Sequence, residues 1–129
     1  MLYIDLNNFK SINDNYGHEM GDLLLAEFGK RIKEKVRTVD MVSRIGGDEF
    51  LLIMTSLNKC DLEQFLNRFI KELKEPYFID SKKFYISSSI GISRFPTDGS
   101  TFQELLKKSD MAMYKAKKEK LSYAFYENQ

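Results

Sequence analysis

The order in which two periodicities alternate along this chain does most to limit its fold. Apolar residues recur at helical spacing in three places. The first set is Met20, Leu23, Leu24, Phe28, Ile32 and Val36, the second Leu62, Phe65, Leu66, Phe69, Ile70 and Leu73, and the third Leu105, Leu106, Ala112, Met113 and Ala116. Around them lie short β-type runs: "LYIDL", "MVSRI", "EFLLIM", a pair turning near "IDSKKF" into "FYISSSIGISRF", and "LSYAFY". A short helical stretch around "NFKSINDN", broken at Gly17, leads into the first long helix, and Pro76 stops the second. Thr101 and Glu104 have the spacing of a capping box for the third, which is expected to run to about Lys118. The resulting order, β-α-β-β-α-β-β-α-β, predicts an α+β fold with a mixed sheet flanked by helices.

In the run 84–95, Phe84, Ile86, Ile90 and Ile92 share one face by strict alternation, and the opposite face is small and polar. The chain has 129 residues with 43% hydrophobic content, enough for one buried core, so residues 1–129 are read as a single domain. It opens at once on a strand, so a domain truncated at its N-terminus and cut from a longer protein is expected. Twenty Lys and Arg nearly balance nineteen Asp and Glu. A net charge of +1 gives no broad footprint for nucleic acid or an acidic membrane, so an anionic ligand must be held by local groups. The single cysteine, Cys60, rules out an internal disulfide, and no apolar run has the length of a membrane span. A cytoplasmic domain is expected, and its parent could be membrane-anchored.

The stretch "RIGGDEFLLIM", residues 44–54, sets two glycines and two acids between β-type segments. A tight hairpin needs glycine and tolerates one Asp, but adjacent Asp48 and Glu49 repel each other and need another reason. The opening β-α-β-β-α-β portion matches the ferredoxin-like motif, in which the first and third strands are antiparallel neighbours. That places Asp5, at the end of the first strand, beside Asp48 and Glu49 at the start of the third. Three carboxylates at one rim of a sheet suit hard divalent cations and two-metal phosphoryl chemistry.

Six ordered motifs extend this pattern: "DLNNFKSINDNYGHEMGD" at 5–22, "RTVD" at 37–40, "GGDEF" at 46–50, "SIGIS" at 89–93, "FPTDG" at 95–99 and "SDMAMYKAK" at 109–117. Together they resemble the GGDEF family of diguanylate cyclases over essentially the whole chain. The resemblance implies a fold like that of polymerase palms. It also implies condensation of two GTP molecules into cyclic di-GMP and pyrophosphate with Mg²⁺ or Mn²⁺, and a homodimer in which each protomer holds one GTP. By the same resemblance, Asp5, Asp48 and the Leu6 carbonyl are metal ligands, and Glu49 assists deprotonation of the attacking 3′-hydroxyl or completes the metal site. Gly46 and Gly47 let backbone approach the α-phosphate, Asn13 and Asp22 read the guanine edge, and Lys10 and Lys117 contact phosphates. "RTVD" matches an inhibitory product site built on Arg37 and Asp40, with Arg68 as a second arginine.

Plainer roles exist for several of these residues. Asn13 suits a helix end, Asp22 a first helical turn, Lys117 a solvated lysine run, and Arg37 with Asp40 a surface ion pair worth about 0 to 1 kcal/mol. The chain departs from the family pattern in three places. Asn7 stands where a second Asp is frequent, Lys120, Leu121 and Ser122 replace a Gly-Arg-Asn triplet, and the upstream helix bearing an "LTGLxNR"-like segment is absent. Without the arginine its phosphate contact is lost or handed to Lys118 or Lys120, point charges without a bidentate fork. The alternative expectation is therefore a weak or inactive GGDEF domain that binds GTP or cyclic di-GMP and regulates a neighbour. A palm-like nucleic-acid enzyme is disfavoured, because no basic, aromatic-bearing groove is evident.

Overall fold

The structure is a computed structural model, and it describes residues 1–127. Seven strands and four helices follow in the order β1 (Leu2–Leu6), α1 (Phe9–Tyr16), α2 (His18–Lys35), β2 (Met41–Gly46), β3 (Glu49–Ile53), α3 (Lys59–Leu73), β4 (Tyr77–Ile79), β5 (Lys82–Phe84), β6 (Ser88–Ile92), α4 (Phe102–Lys118) and β7 (Tyr123–Phe125). Five strands form one sheet in the order β2-β3-β1-β6-β7, antiparallel throughout except for the β6–β7 pair. The palm-like α+β arrangement is therefore present, with β1 and β3 antiparallel neighbours at its centre.

Two details differ from the sequence reading. The strand that completes the ferredoxin-like unit beside β1 is β6, not the strand directly after α3, because β4 and β5 pair only with each other. The run 84–95 is also not one strand: β5 ends at Phe84, β6 begins at Ser88, and the chain between them passes from the small sheet to the large one. Phe84, Ile86, Ile90 and Ile92 are nonetheless all buried in a single core, which explains why their alternation read as continuous.

The sheet carries helices on both faces. Leu2, Ile4 and Leu6 point to the side covered by α2 and α3, where Leu24, Phe28, Ile32, Leu66 and Phe69 are buried with them. Phe28 is fully buried against Phe50 and Tyr77, with ring centroids 5.4 and 6.0 Å away. Truncating such a side chain to alanine costs about 3 to 5 kcal/mol. Along α2 the inward residue is Leu25, while Leu23, expected inward, is 47% exposed. The small face of β6 receives α4: a Cβ on Gly91 would lie 2.0 Å from the Ser109 carbonyl oxygen and 2.1 Å from the Met113 nitrogen. Glycine and serine along β6 are thus the condition for α4 to lie close enough to reach the rim with its C-terminal half. Thr101 caps that helix by accepting from the Glu104 N–H at 3.1 Å.

Arg31 fixes the far end of α3. Its guanidinium donates to the Glu72, Glu75 and Pro76 carbonyls and lies 3.6 Å over the Tyr77 ring, filling acceptors that a helix C-terminus leaves open. Tyr77 in turn donates its hydroxyl to the Leu73 carbonyl at 2.7 Å, and burial pushes that phenol up to about 12.

Candidate active site

The β2–β3 connection is a two-residue turn at Gly47 and Asp48. Arg44 pairs with Phe50 but Gly46 with Glu49, so Ile45 is an extra residue on β2, a bulge that re-aims the turn. Arg44 Nε donates to the Gly47 carbonyl at 3.1 Å and steadies it. Neither Gly46 nor Gly47 adopts a positive φ, so the backbone does not demand glycine here. A Cβ on Gly47 would meet no atom within 4 Å, and one on Gly46 would meet only the Glu49 side chain, its Oε1 at 3.3 Å. What the pair provides is an open, side-chain-free surface beside two acids.

The register sets Asp5 directly opposite Glu49, and the Leu6 N–H donates to the Asp48 carbonyl at 3.2 Å. Asp48, in the turn, and Glu49, at the start of β3, are both half-buried. Asp5 is the most constrained of the three. Its side chain is 14% exposed, its Oδ2 accepts from Lys117 Nζ at 2.5 Å, and its Oδ1 is buried with no hydrogen-bond partner. Burial raises its pKa above the ordinary carboxylate value, Lys117 opposes the shift, and the charges of Asp48 and Glu49 add to it. A buried carboxylate oxygen without a donor costs free energy, and a cation is one partner that relieves it.

These are hard oxygen donors of the kind Mg²⁺ and Mn²⁺ take, and the unpartnered Asp5 Oδ1 fits such an ion. Among the described residues, however, no three carboxylate, imidazole or thiol groups converge on one point, so the predicted three-carboxylate cluster is not closed. Lys117 takes the other Asp5 oxygen, Oδ2.

Two residues on the same face of the sheet were not singled out from sequence. Tyr3, two residues before Asp5, donates its hydroxyl to Glu49 Oε2, and burial together with that bond pushes its phenol well above its ordinary value. Asp110 on α4 lies close enough to Glu49 for its pKa to rise, chiefly by burial and secondarily by that charge. Alternation of Tyr3 with Asp5 was the available signal for the first. The second needed the packing of α4.

Beside Asp5 a cavity of about 460 Å³ is lined by Asn7, Asn8 and Ser87–Ser89 on one side and by Lys74, Lys117, Lys120, Leu121 and Ser122 on the other. Asn7 is held there at both ends of its amide, donating to Ser87 Oγ at 3.1 Å and accepting from Ser89 Oγ at 3.0 Å. Asn8 takes a left-handed conformation, φ 59°, ahead of α1 and makes no side-chain cap bond. Lys10 is exposed on the first turn of α1. The half-buried Asn13 lies over α2, its Oδ1 only 1.9 Å from where a Cβ on Gly21 would sit, which brings it to the start of α2 next to exposed Asp22.

The Arg37 corner lies past the other end of α2, beside a cavity of about 250 Å³ lined by Lys33, Val36, Arg37, Thr38, Asp40 and Val42. Arg37 donates to both Asp40 oxygens, at 2.8 and 3.1 Å, and to the Thr55 carbonyl at 2.6 Å, while its backbone N–H also reaches Asp40 at 2.8 Å. The Asp40 side chain is fully buried. Arg68 is not among the residues lining this cavity and pairs instead with Glu72 at 3.7 Å.

Residues 1–122 match the family described as "Diguanylate cyclase, GGDEF domain". The chain is 42% identical over 129 residues to the bifunctional diguanylate cyclase/cyclic di-GMP phosphodiesterase MucR of Pseudomonas aeruginosa, covering 99% of this chain and 19% of that protein. It is 40% identical to the signaling protein YkoW of Bacillus subtilis, covering 98% of this chain and 16% of that protein. It thus spans less than a fifth of either relative. The crystal structure of the GGDEF domain of YfiN, also called TpbB, from Pseudomonas aeruginosa superposes with a TM-score of 0.93 at 34% identity, covering 99% of this chain and 81% of that one. An acidic rim opposite a Gly-Gly-Asp-Glu turn, on this sheet and with this match, makes the chain a member of the GGDEF family of diguanylate cyclase domains.

Proposed function

We propose that this domain condenses two GTP molecules into cyclic di-GMP and pyrophosphate. The observation that carries the reading is the register of β1 against β3, which faces Asp5 with Glu49 and leaves Asp5 Oδ1 buried without a partner. Asp5, Asp48 and the Leu6 carbonyl are the groups that would hold Mg²⁺ or Mn²⁺. The chemistry such an ion supplies is a lowered pKa for the attacking 3′-hydroxyl and charge neutralisation at the α-phosphate. Glu49, aimed by the Tyr3 hydroxyl, takes the hydroxyl proton. Gly46 and Gly47 admit the α-phosphate to the backbone of the turn, and Lys10 and Lys117 neutralise the phosphates. An Asp22 carboxylate accepts from guanine N1–H and the 2-amino group together, which adenine does not offer, and Asn13 beside it completes the edge.

Each protomer holds one GTP, so two must face each other, and the catalytic unit is a homodimer. GTP and a divalent ion are the proposed substrate and cofactor, and a cytoplasmic location belongs to the same proposal; no described helix is long and apolar enough to cross a membrane. Cyclic di-GMP binding at Arg37, Asp40 and Arg68 remains part of the proposal.

One observation favours a second reading, a nucleotide-binding regulatory domain without turnover. Lys117 occupies Asp5, and Leu121 lines the cavity where the family pattern has arginine. Incubation of the chain with GTP and Mg²⁺, followed by chromatography of the nucleotides, separates the two. Cyclic di-GMP that disappears in Asp48→Asn supports the cyclase. GTP binding without product at any metal concentration supports the regulatory domain.

A further inference from the structure

Among the described residues the Glu49 side chain has a single hydrogen-bond partner, the Tyr3 hydroxyl, which donates to its Oε2. No lysine or arginine among them forms an ion pair with it. Its charged neighbours are like charges: Asp5 stands directly opposite on β1, and Asp110 on α4 is near enough to feel the Glu49 charge. Attraction to the phenol is therefore what holds this carboxylate in place.

The register explains the contact. Tyr3 pairs with Leu51 and Asp5 with Glu49, so Tyr3 and Glu49 are diagonal neighbours on one face of the sheet, a separation that an aromatic and a long side chain can bridge. Tyr3 is half-buried and borders one cavity with Ile45, Leu51, Phe102 and Leu106, apolar neighbours from two strands and α4 that limit its two side-chain torsions. The other Glu49 oxygen, Oε1, lies 3.3 Å from where a Cβ on Gly46 would sit. Glu49 thus reaches from the phenol at one end to the bare backbone of the turn at the other. Although it directly faces Asp5, the acids of the rim do not converge on one point among the described residues.

We propose that Tyr3 is a positioning residue for Glu49: its hydroxyl holds Oε2, keeps the carboxylate away from a cation on Asp5 and Asp48, and leaves Oε1 over Gly46, where the attacking hydroxyl arrives. This deepens the cyclase reading and rests on it for the identity of that hydroxyl, but not for the geometry. The family resemblance leaves Glu49 two roles, proton acceptor or part of the metal site, and the Tyr3 bond selects the first. A carboxylate free to turn is drawn to a nearby divalent ion, whereas one tethered to a neutral donor stays where the donor puts it. Tyr3 keeps its own proton throughout, and the proton of the attacking hydroxyl passes to Oε1.

Tyr3→Phe removes the hydroxyl and keeps the ring. The test compares the unmodified chain, Tyr3→Phe, Glu49→Gln and the double variant in two measurements. These are Mn²⁺ affinity without nucleotide, from the electron paramagnetic resonance signal of the free ion, and steady-state synthesis of cyclic di-GMP. Tyr3→Phe is expected to tighten Mn²⁺ binding about three- to tenfold, because Glu49 turns to the ion, and the gain is expected to vanish in the double variant. On turnover it is expected to lower kcat about ten- to a hundredfold at unchanged KM for GTP, and to add nothing to the loss caused by Glu49→Gln. Mn²⁺ binding with this pattern but no cyclic di-GMP from the unmodified chain upholds the positioning role and removes the cyclase reading. Mn²⁺ affinity that Tyr3→Phe leaves unchanged or weakens, a gain that persists in the double variant, a kcat loss that adds in full to that of Glu49→Gln, or no Mn²⁺ binding at all overturns the positioning role.

Discussion

The acidic rim and the Arg37 corner each hold ionised side chains that the sequence marks for ligand binding, and they are built in opposite ways. At the corner most donors are used: Asp40 takes three N–H bonds from Arg37, and the guanidinium also reaches a backbone carbonyl. At the rim one Asp5 oxygen has no partner, like charges stand close together, and the pKa of Asp5 is raised, not lowered. A closed set of bonds stabilises the bare fold, whereas an open set costs stability until something binds. On the proposed reading the rim is open to a cation in the form seen here, while most donors of the corner are engaged within the chain.

The largest effect expected from this contrast is on chemistry at the rim. Glu49→Gln is expected to lower cyclic di-GMP synthesis roughly 10²- to 10⁴-fold, the range for losing a positioned proton acceptor, with little change in melting temperature. Full activity at normal metal concentration would remove Glu49 from the mechanism. At the corner the expected effect is on stability: Asp40→Ala leaves the Arg37 donors unpaired and costs about 1 to 3 kcal/mol by denaturant titration. An unchanged midpoint would mean that the corner is not closed in solution. Its role as a product site is checked separately, by calorimetry with cyclic di-GMP on the unmodified chain and on Arg37→Ala, where binding lost in the variant is the expected outcome and equal binding the contrary one. Asp22→Ala is expected to weaken GTP by about 1 to 3 kcal/mol and to narrow discrimination against ATP, measured by competition.

The smallest effect is on pH dependence. Burial raises Asp110, as it does Asp5, above the ordinary value of 3.8, so the folded chain binds these protons more tightly than the unfolded chain. Charging such a group penalises the fold. The penalty is complete at neutral pH and fades as pH falls through the raised value toward 3.8. Asp110→Asn should accordingly melt above the unmodified chain at pH 7, and the gap should close on acidification. A gap that widens at low pH would reverse the sign.

Much of this was legible in the sequence because alternation and helical spacing report burial directly. That Asp5 lies beside Glu49 follows from matching the β-α-β-β order to the ferredoxin-like motif, and the structure adds the register that pairs them directly. The break at 85–87 was not legible, because Phe84, Ile86, Ile90 and Ile92 keep the same alternation whether the chain stays in one sheet or changes to another. Leu23 and Leu25 flank Leu24 on α2, and the rotation of that helix against the sheet decides which is buried. Lys74 gave no signal: its place in the cavity depends on where α3 ends, and that is set by Arg31, 43 residues earlier in the chain. Nor could the sequence reveal that Lys117 would sit on Asp5, 112 residues away, since that contact depends on how far α4 reaches across the sheet.

The central claim is that Asp5 is held at a cost to the bare fold for the sake of a ligand. Thermal denaturation of the unmodified chain and Asp5→Asn, each alone and with GTP and Mn²⁺, tests it directly. The account predicts that the bare Asn variant melts higher than the unmodified chain and gains less from GTP and Mn²⁺. A bare variant that melts lower, or one that gains as much from the ligands as the unmodified chain does, would contradict it.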